Sequence, residues 1–372
     1  MKKKLISLLI GAAMVSAAFA GTAMAESEGP ALKIAILSSP SGVDDGSFNE
    51  TSYNGILSFI ETHPECTVTP VKEETGDVAA CIQTASDIVA DYDVLVCDGF
   101  QFAAISGIAA DNPDKYFIIV DTNPTDAEGD EVTMENVYGM SFKREQAGFC
   151  AGIAAALETT TNKVAVVNGV GYPTNVDYQY GFMSGVNYAN KNYGSSAEIV
   201  ELASYAGTDV TGANVGGNYV GGFSDEATGK VVGQALIDEG CDVIFVAAGA
   251  SGNGVFTAAK EAGDVFCIGC DVDQYDDGVN GDKNIILTSA VVGIAQGNET
   301  QLTKIYDGTF TGQNELLGAE GGFAGYVSEE GRCQLSEDTI SKIDEAFAKV
   351  VSGEIIPASN FSGTLPDSFV GF

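Results

Sequence analysis

Residues Lys33 to Tyr53, KIAILSSPSGVDDGSFNETSY, place a short apolar run before a Gly- and Asp-rich turn and then open a helical-period segment. That order of strand, loop and helix decides the fold, because it recurs along the rest of the chain. Strands are expected at Lys33 to Ser38, Cys66 to Val71, Asp93 to Cys97, Lys115 to Asp121 and Val137 to Phe142. A second series is expected at Lys163 to Asn168, Glu198 to Ser204, Asp242 to Ala247, Val265 to Cys270 and Ile285 to Ala290. Short β-branched runs separated by helical segments are the pattern of parallel sheets covered by helices. Two such series exceed one ordinary sheet, so two α/β lobes are expected, split near Phe142 and Lys143.

Outside that frame, the first 25 residues read as a secretory signal. Lys2, Lys3 and Lys4 precede an apolar run from Leu5 through Ala20, and Ala23-Met24-Ala25 supplies a small-residue cleavage site. The expected division is a signal peptide over 1–25, a first lobe over 26–142 with about 291–310, and a second lobe over 143–290 with about 311–372. The net charge of −35, dispersed along the chain, excludes nucleic acid and anionic membrane surfaces as natural partners. Hydrophobic residues make up 45% of the chain, which excludes disorder. Most of the eight cysteines sit in apolar runs, where a thiol behaves as a small hydrophobe. For Cys66 and Cys81 two readings stand, free core thiols or a pair formed in an oxidising compartment.

Four segments carry candidate chemistry. In Ser38 to Tyr53, Ser47 and Glu50 have capping-box spacing, so a helix is expected to start there with its free N–H groups at the carboxyl end of the first strand. One reading makes Asp44, Asp45, Phe48 and Asn49 a pocket rim, with Phe48 a stacking face and Asn49 a bidentate hydrogen-bonding group. The other makes the acids turn residues and Phe48 a core residue. Gly221-Gly-Phe-Ser-Asp225 delivers Phe223 from a glycine-rich loop, either as a second stacking face or as a hydrophobic staple. The glycines of Val246 to Val255 run G-x-x-G-x-G, which is not the dinucleotide fingerprint, but such a turn presents N–H groups equally well to another ligand. Ile268 to Gln274 offers Asp271 or Asp273 to a ligand diol, or as loop caps.

Catalytic constellations are poor. His63 is the single histidine and stands beside Pro64 at a helix end, so no Ser-His-Asp or Cys-His arrangement is expected. Cys267 and Cys270 have CxxC spacing, yet residues three apart in a strand face opposite sides, which disfavours a metal. The expectation is a binding protein without enzyme activity, cofactor or metal.

The segments VDDGSFNETSYNG (Val43 to Gly55), FKREQAGFCAGIAAAL (Phe142 to Leu157), GGFSDEATGK (Gly221 to Lys230), AAGASGNGVFTAAKEAG (Ala247 to Gly263) and IGCDVDQ (Ile268 to Gln274) together resemble the basic membrane protein family of ABC-transporter binding proteins, which includes purine nucleoside receptor lipoproteins. The resemblance implies the type I periplasmic-binding-protein fold, two parallel-sheet α/β lobes joined by a multi-strand hinge. It also implies a planar, nucleoside-like ligand between Phe48 and Phe223, with Asn49 lining the pocket and Gly252 and Asp271 on the sugar. Asp45, from the rim reading, and Ser39, which stands at a family contact position, complete the candidate ligand-binding set. The implied partner is a membrane ABC permease, with the binding protein itself a monomer.

The chain departs from the family pattern where an acid is expected and Ser39 or Ala104 stands instead. It departs again after Leu287-Thr-Ser, where a lysine is expected and Ala290-Val-Val-Gly293 follows. These departures argue against simple transfer of purine nucleoside specificity, since unpaired polar groups on a buried ligand cost affinity. A modified nucleoside, a free base or a flavin-like ring are alternatives, as is a sensor that docks on a signalling receptor. The first cysteine is Cys66, so no lipobox follows the signal and an exported, periplasmic or cell-surface-associated protein without a lipid anchor is expected.

Overall fold

The computed structural model describes residues 29–366. The expected signal peptide over 1–25 lies outside the described residues. The chain first lays down β1 (Lys33–Ser38), α1 (Phe48–Thr62), β2 (Thr67–Lys72), α2 (Val78–Ile88), β3 (Val94–Asp98), α3 (Ser106–Asp111), β4 (Tyr116–Val120) and β5 (Val137–Phe142). It continues through α4 (Arg144–Glu158), β6 (Lys163–Asn168), α5 (Pro173–Asn192), β7 (Glu198–Ile199), a hairpin of β8 (Gly207–Thr208) and β9 (Asn214–Gly216), and β10 (Asn218–Tyr219). Next come α6 (Glu226–Asp238), β11 (Val243–Ala247), α7 (Ser251–Ala262), β12 (Phe266–Asp271), a hairpin of β13 (Val279–Asn280) and β14 (Lys283–Asn284), and β15 (Ile286–Val292). Last are α8 (Ile294–Tyr306), β16 (Gln313–Leu317), β17 (Ala324–Tyr326) and α9 (Glu337–Val351).

Two sheets organise these elements. The first has the order β16-β5-β4-β3-β1-β2, every pair parallel. The second runs β10-β6-β11-β12-β15-β17, with β7 also on β6 and only β17 antiparallel. The central strands β3, β4, β5, β6, β11 and β12 are buried almost end to end, as strands covered on both faces must be. β2, TVTPVK, is the exposed edge of its sheet, where Pro70 is tolerated because a parallel edge strand leaves one side without partners.

The chain passes between the sheets at 142–144, 292–294 and 317–324. The expectation that residues from about 311 onward join the second lobe is therefore corrected. Gln313–Leu317 pairs in register with Tyr138–Phe142 in the first sheet, and only from β17 does the chain return to the second. The half-buried QNELL run lacked the apolar density that marks an interior strand, because it lies on an edge. The expected strand over Glu198 to Ser204 also shrinks to two residues followed by a 3₁₀ turn at Ala203–Tyr205.

Helices close on one another through glycine. A Cβ on Gly152 of α4 would collide with the Phe182 carbonyl of α5, one on Gly229 of α6 with the Ser251 carbonyl of α7, and one on Gly55 of α1 with the Ala295 backbone of α8. These contacts bring the helix backbones together and cover the sheet faces tightly.

Candidate functional site

The carboxyl ends of β1, β3 and β4 in one lobe and of β6, β11 and β12 in the other converge on a cavity of about 380 Å³. Parallel α/β sheets place ligands at this edge, where chain ends and helix starts leave backbone groups unpaired. Ser39, Asp45, Phe48 and Asn49 line it from the first lobe, and Phe223 and Asp271 from the second. Gly252 does not. It lies buried in the first turn of α7, its N–H bonded to the Gly249 carbonyl, and Gly249 is the glycine that reaches the cavity.

α1 starts at Phe48, but its expected capping box is corrected. Ser47 makes no side-chain cap. The Asp45 carboxylate instead accepts the N–H groups of Ser47 (3.1 Å), Asn49 (3.2 Å) and Glu50 (3.1 Å). Glu50 reaches back to the Gly46 N–H at 2.9 Å. An acid two residues earlier captures more of the free donors than a serine hydroxyl does. Asn49 is likewise committed: its amide donates to Ser39 Oγ at 2.9 Å and to Asp45 at 2.7 Å. Its Oδ1 accepts the Ser39 N–H at 3.4 Å, so both the donor and the acceptor that a bidentate contact with a ligand would use are held by the protein. Burial, only partly offset by these hydrogen bonds, pushes the Asp45 carboxyl above its ordinary range.

Between the lobes sits Arg144, the first residue of α4 and only 2% exposed. Its Nη2 donates to both Asp121 oxygens at 2.7 Å, and its Nη1 donates to Asp271 Oδ1 and, at 3.0 Å, to the Tyr178 hydroxyl. Asp121 directly follows β4 of the first lobe and Asp271 ends β12 of the second, so one guanidinium ties the two sheets. Burial opposes its charge, and the two carboxylates outweigh burial and hold its pKa well above the ordinary arginine value. Both aspartates take left-handed backbone angles, φ 69° and 65°, which are uncommon for residues other than glycine and concentrate at functional sites. Of the two candidate acids in Ile268 to Gln274, Asp271 therefore belongs to the cavity. Asp273 instead pairs with Arg332 at 2.6 Å.

An aromatic tier completes the lining. Phe100 of the first lobe lies 5.4 Å from Tyr172, and Tyr172 lies 5.9 Å from Phe223. The Phe223 ring rests over Gly169, whose missing side chain leaves it room. Direct bonds across the cleft join Ser41 Oγ to the Phe223 carbonyl (3.1 Å), Gln274 Nε2 to the Gly46 carbonyl (3.0 Å) and Ser47 Oγ to Asp271 (3.3 Å).

Arg144, Asp121, Tyr178, Tyr172 and Asp98 were not singled out in the sequence. A signal for the two acids was present, shared with Asp271: VLVCD98, YFIIVD121 and FCIGCD271 are apolar strands that each end in, or run directly into, an aspartate. Arg144 stands in a segment whose other residues are mostly small and apolar. Elsewhere, His63 caps the far end of α1, stacked on Phe59 with ring centroids 4.3 Å apart. All eight cysteines are free, so Cys66 and Cys81 are unpaired. Cys267 and Cys270 belong to different core clusters on opposite faces of the second sheet. Among the described residues no cluster of metal-ligating side chains is found, and no helix is long and apolar enough to cross a membrane.

Two α/β lobes, three connecting segments and a cavity at the facing sheet edges define a two-lobed solute-binding architecture. The chain belongs to the Bmp family, described as ABC transporter substrate-binding protein PnrA-like, which it matches over residues 32–201 and 203–360. It is 28% identical over 345 residues to the CD4+ T-cell-stimulating antigen of Listeria monocytogenes, covering 87% of each chain. It is also 28% identical to the ABC transporter nucleoside-binding protein BmpA of Lactococcus lactis, over 95% of this chain and 99% of the relative. A solved solute-binding protein of an Aeropyrum pernix ABC transporter superposes with a TM-score of 0.73 at 22% identity, over 87% of this chain and 92% of that one, which shows the shared fold.

Proposed function

We propose that this protein, the substrate-binding component of an ABC importer, is exported, captures a planar nucleoside-like molecule between Phe48 and Phe223, and carries it as a monomer to a membrane permease. The observation that carries this reading is the cavity of about 380 Å³ with one of these rings contributed by each lobe. That volume lies within the ~300–1,000 Å³ of pockets that enclose drug-sized molecules. Lobe closure buries both faces of a stacked ring, and opening releases it, so affinity and delivery are coupled to one hinge motion. The nucleoside-binding relative from Lactococcus lactis supports the ligand class. In the reading, Asn49 and Asp45 shape the rim by holding the turn before α1, while Ser39 and Asp271 offer polar contacts. Gly252 acts indirectly, by packing the first turn of α7 under the loop that carries Gly249.

Thermal-shift screening and calorimetry of the purified protein against nucleosides, free bases and flavins test this reading. Stabilisation by at least one nucleoside with one-to-one stoichiometry is expected. If no planar heterocycle binds, the nucleoside-like assignment falls. Light scattering on the ligand-free protein checks the monomer.

A further inference from the structure

A buried polar chain runs from the outer layer of the first lobe to the cavity. Asn298 of α8 donates to Ser52 Oγ at 2.7 Å, and Ser52 donates to Asp98 Oδ1 at 2.6 Å. Asp98 ends β3, lines the cavity and is 0% exposed, yet its second oxygen, Oδ2, has no partner. A buried carboxyl oxygen left unpaired is costly, on the order of 1–3 kcal/mol or more, and such groups are retained where something else completes them. The Ser52 hydrogen bond fixes the carboxyl in place, so the group is oriented before any ligand arrives. Burial, and then the neighbouring Asp45 and Asp121 charges, push this carboxyl well above its usual range, so it holds a proton in the ligand-free protein and releases it to solvent when a donor N–H stabilises the charged form.

Position and charge say what would complete it. Phe48 and Ser52 are four residues apart in α1 and share one helix face. The Phe48 ring and the carboxyl that Ser52 holds therefore border the same wall of the cavity. Among the described residues four aspartates line the cavity, and the single cation in the lining, Arg144, is occupied by two of them. The field favours ligand groups that bring positive partial charge and opposes anions.

We infer that Asp98 is the specificity-determining residue of this cavity, accepting a hydrogen bond from an edge N–H of a nitrogenous ring stacked on Phe48, and that the site selects unphosphorylated compounds. The inference rests on the reading of the cavity as a nucleoside-type site. It assigns edge recognition to an acid at the end of β3, whereas Ala104, six residues on, is exposed and outside the lining.

Calorimetry of the wild type, Asp98→Asn and Asp98→Ala with guanosine, inosine, adenosine, cytidine and their 5′-monophosphates tests it. For any nucleoside that the wild type binds, both variants are expected to bind about 10- to 100-fold more weakly, and the matching monophosphate to bind the wild type at least ~100-fold more weakly. The ligand-free Asp98→Asn protein should melt no lower than the wild type, since an unpaired buried acid is removed. A measurement on the wild type alone guards against a misfolded variant: 1-methylguanosine against guanosine, and N6,N6-dimethyladenosine against adenosine, should each lose at least ~10-fold where the parent binds. Unchanged affinity in Asp98→Asn, equal affinity for the methylated compounds, or a monophosphate bound as tightly as its nucleoside would overturn the inference while leaving the nucleoside reading standing. Failure of the wild type to bind every nucleoside would overturn both.

Discussion

Arg144 is the one cation in the cavity lining among the described residues, and its guanidinium is shared between Asp121 and Asp271. Its ring neighbours are equally close, with the guanidinium carbon 5.1 Å from the Tyr178 centroid and 5.7 Å from that of Phe48. Removing one partner of such a cluster strands the others, which costs roughly 3–5 kcal/mol. Arg144→Ala is expected to lower unfolding stability by about that amount in urea titrations. A loss below ~1 kcal/mol would show that the two carboxyls find other partners or take up protons at little cost. The stacking residues behave differently, because they are half-buried and bear on the ligand. Phe48→Ala and Phe223→Ala should each weaken binding by ~1–3 kcal/mol, about 5- to 150-fold, without unfolding the protein. Unchanged affinity by calorimetry in both would remove the sandwich. At this scale the sequence exposed the aromatics, since a phenylalanine beside two glycines has little core to fill. It hid the acids, because an aspartate at a strand end looks like a turn residue until the strand ends are gathered at one edge.

The helix pairs α4–α5, α6–α7 and α1–α8 are each closed by glycines whose Cβ would strike a carbonyl or backbone of the partner helix. Gly152→Ala and Gly229→Ala are expected to cost on the order of 1–3 kcal/mol through overpacking. Gly107 in α3 has open space around its Cβ, so Gly107→Ala should be neutral or stabilising by up to ~1 kcal/mol. Chemical denaturation of the three variants separates close packing from a general intolerance of added methyls. Equal costs at all three positions would refute the distinction. Helix existence was legible from periodicity, as were the strand runs. The edge strands β10, β16 and β17 were not, since a short half-exposed strand carries no burial pattern and is defined only by its partner.

Across the whole molecule, burial raises the carboxyls of Asp45, Asp98, Glu145 and Asp177, the last to about 7. Glu145 on α4 and Asp177 on α5 repel each other, while the backbone of Asn360 bonds Asp177. The native protein thus holds protons that the unfolded chain has released. Their stabilisation is full below the unfolded carboxylate range near pH 4 and is lost as the pH rises through the folded values. The thermal midpoint should fall between pH 5 and pH 8, and Asp177→Asn should flatten that slope. A midpoint that rises with pH would contradict the burial argument.

The strand–loop–helix order and the two series of strands were legible from residue order, because buried parallel strands and amphipathic helices are local patterns. The return of β16 to the first sheet, the capture of the α1 donors by Asp45, the Arg144 bridge and the unpaired oxygen of Asp98 were decided only in three dimensions. Each depends on which strand ends are brought side by side and which charges then lose water, and no local pattern records that.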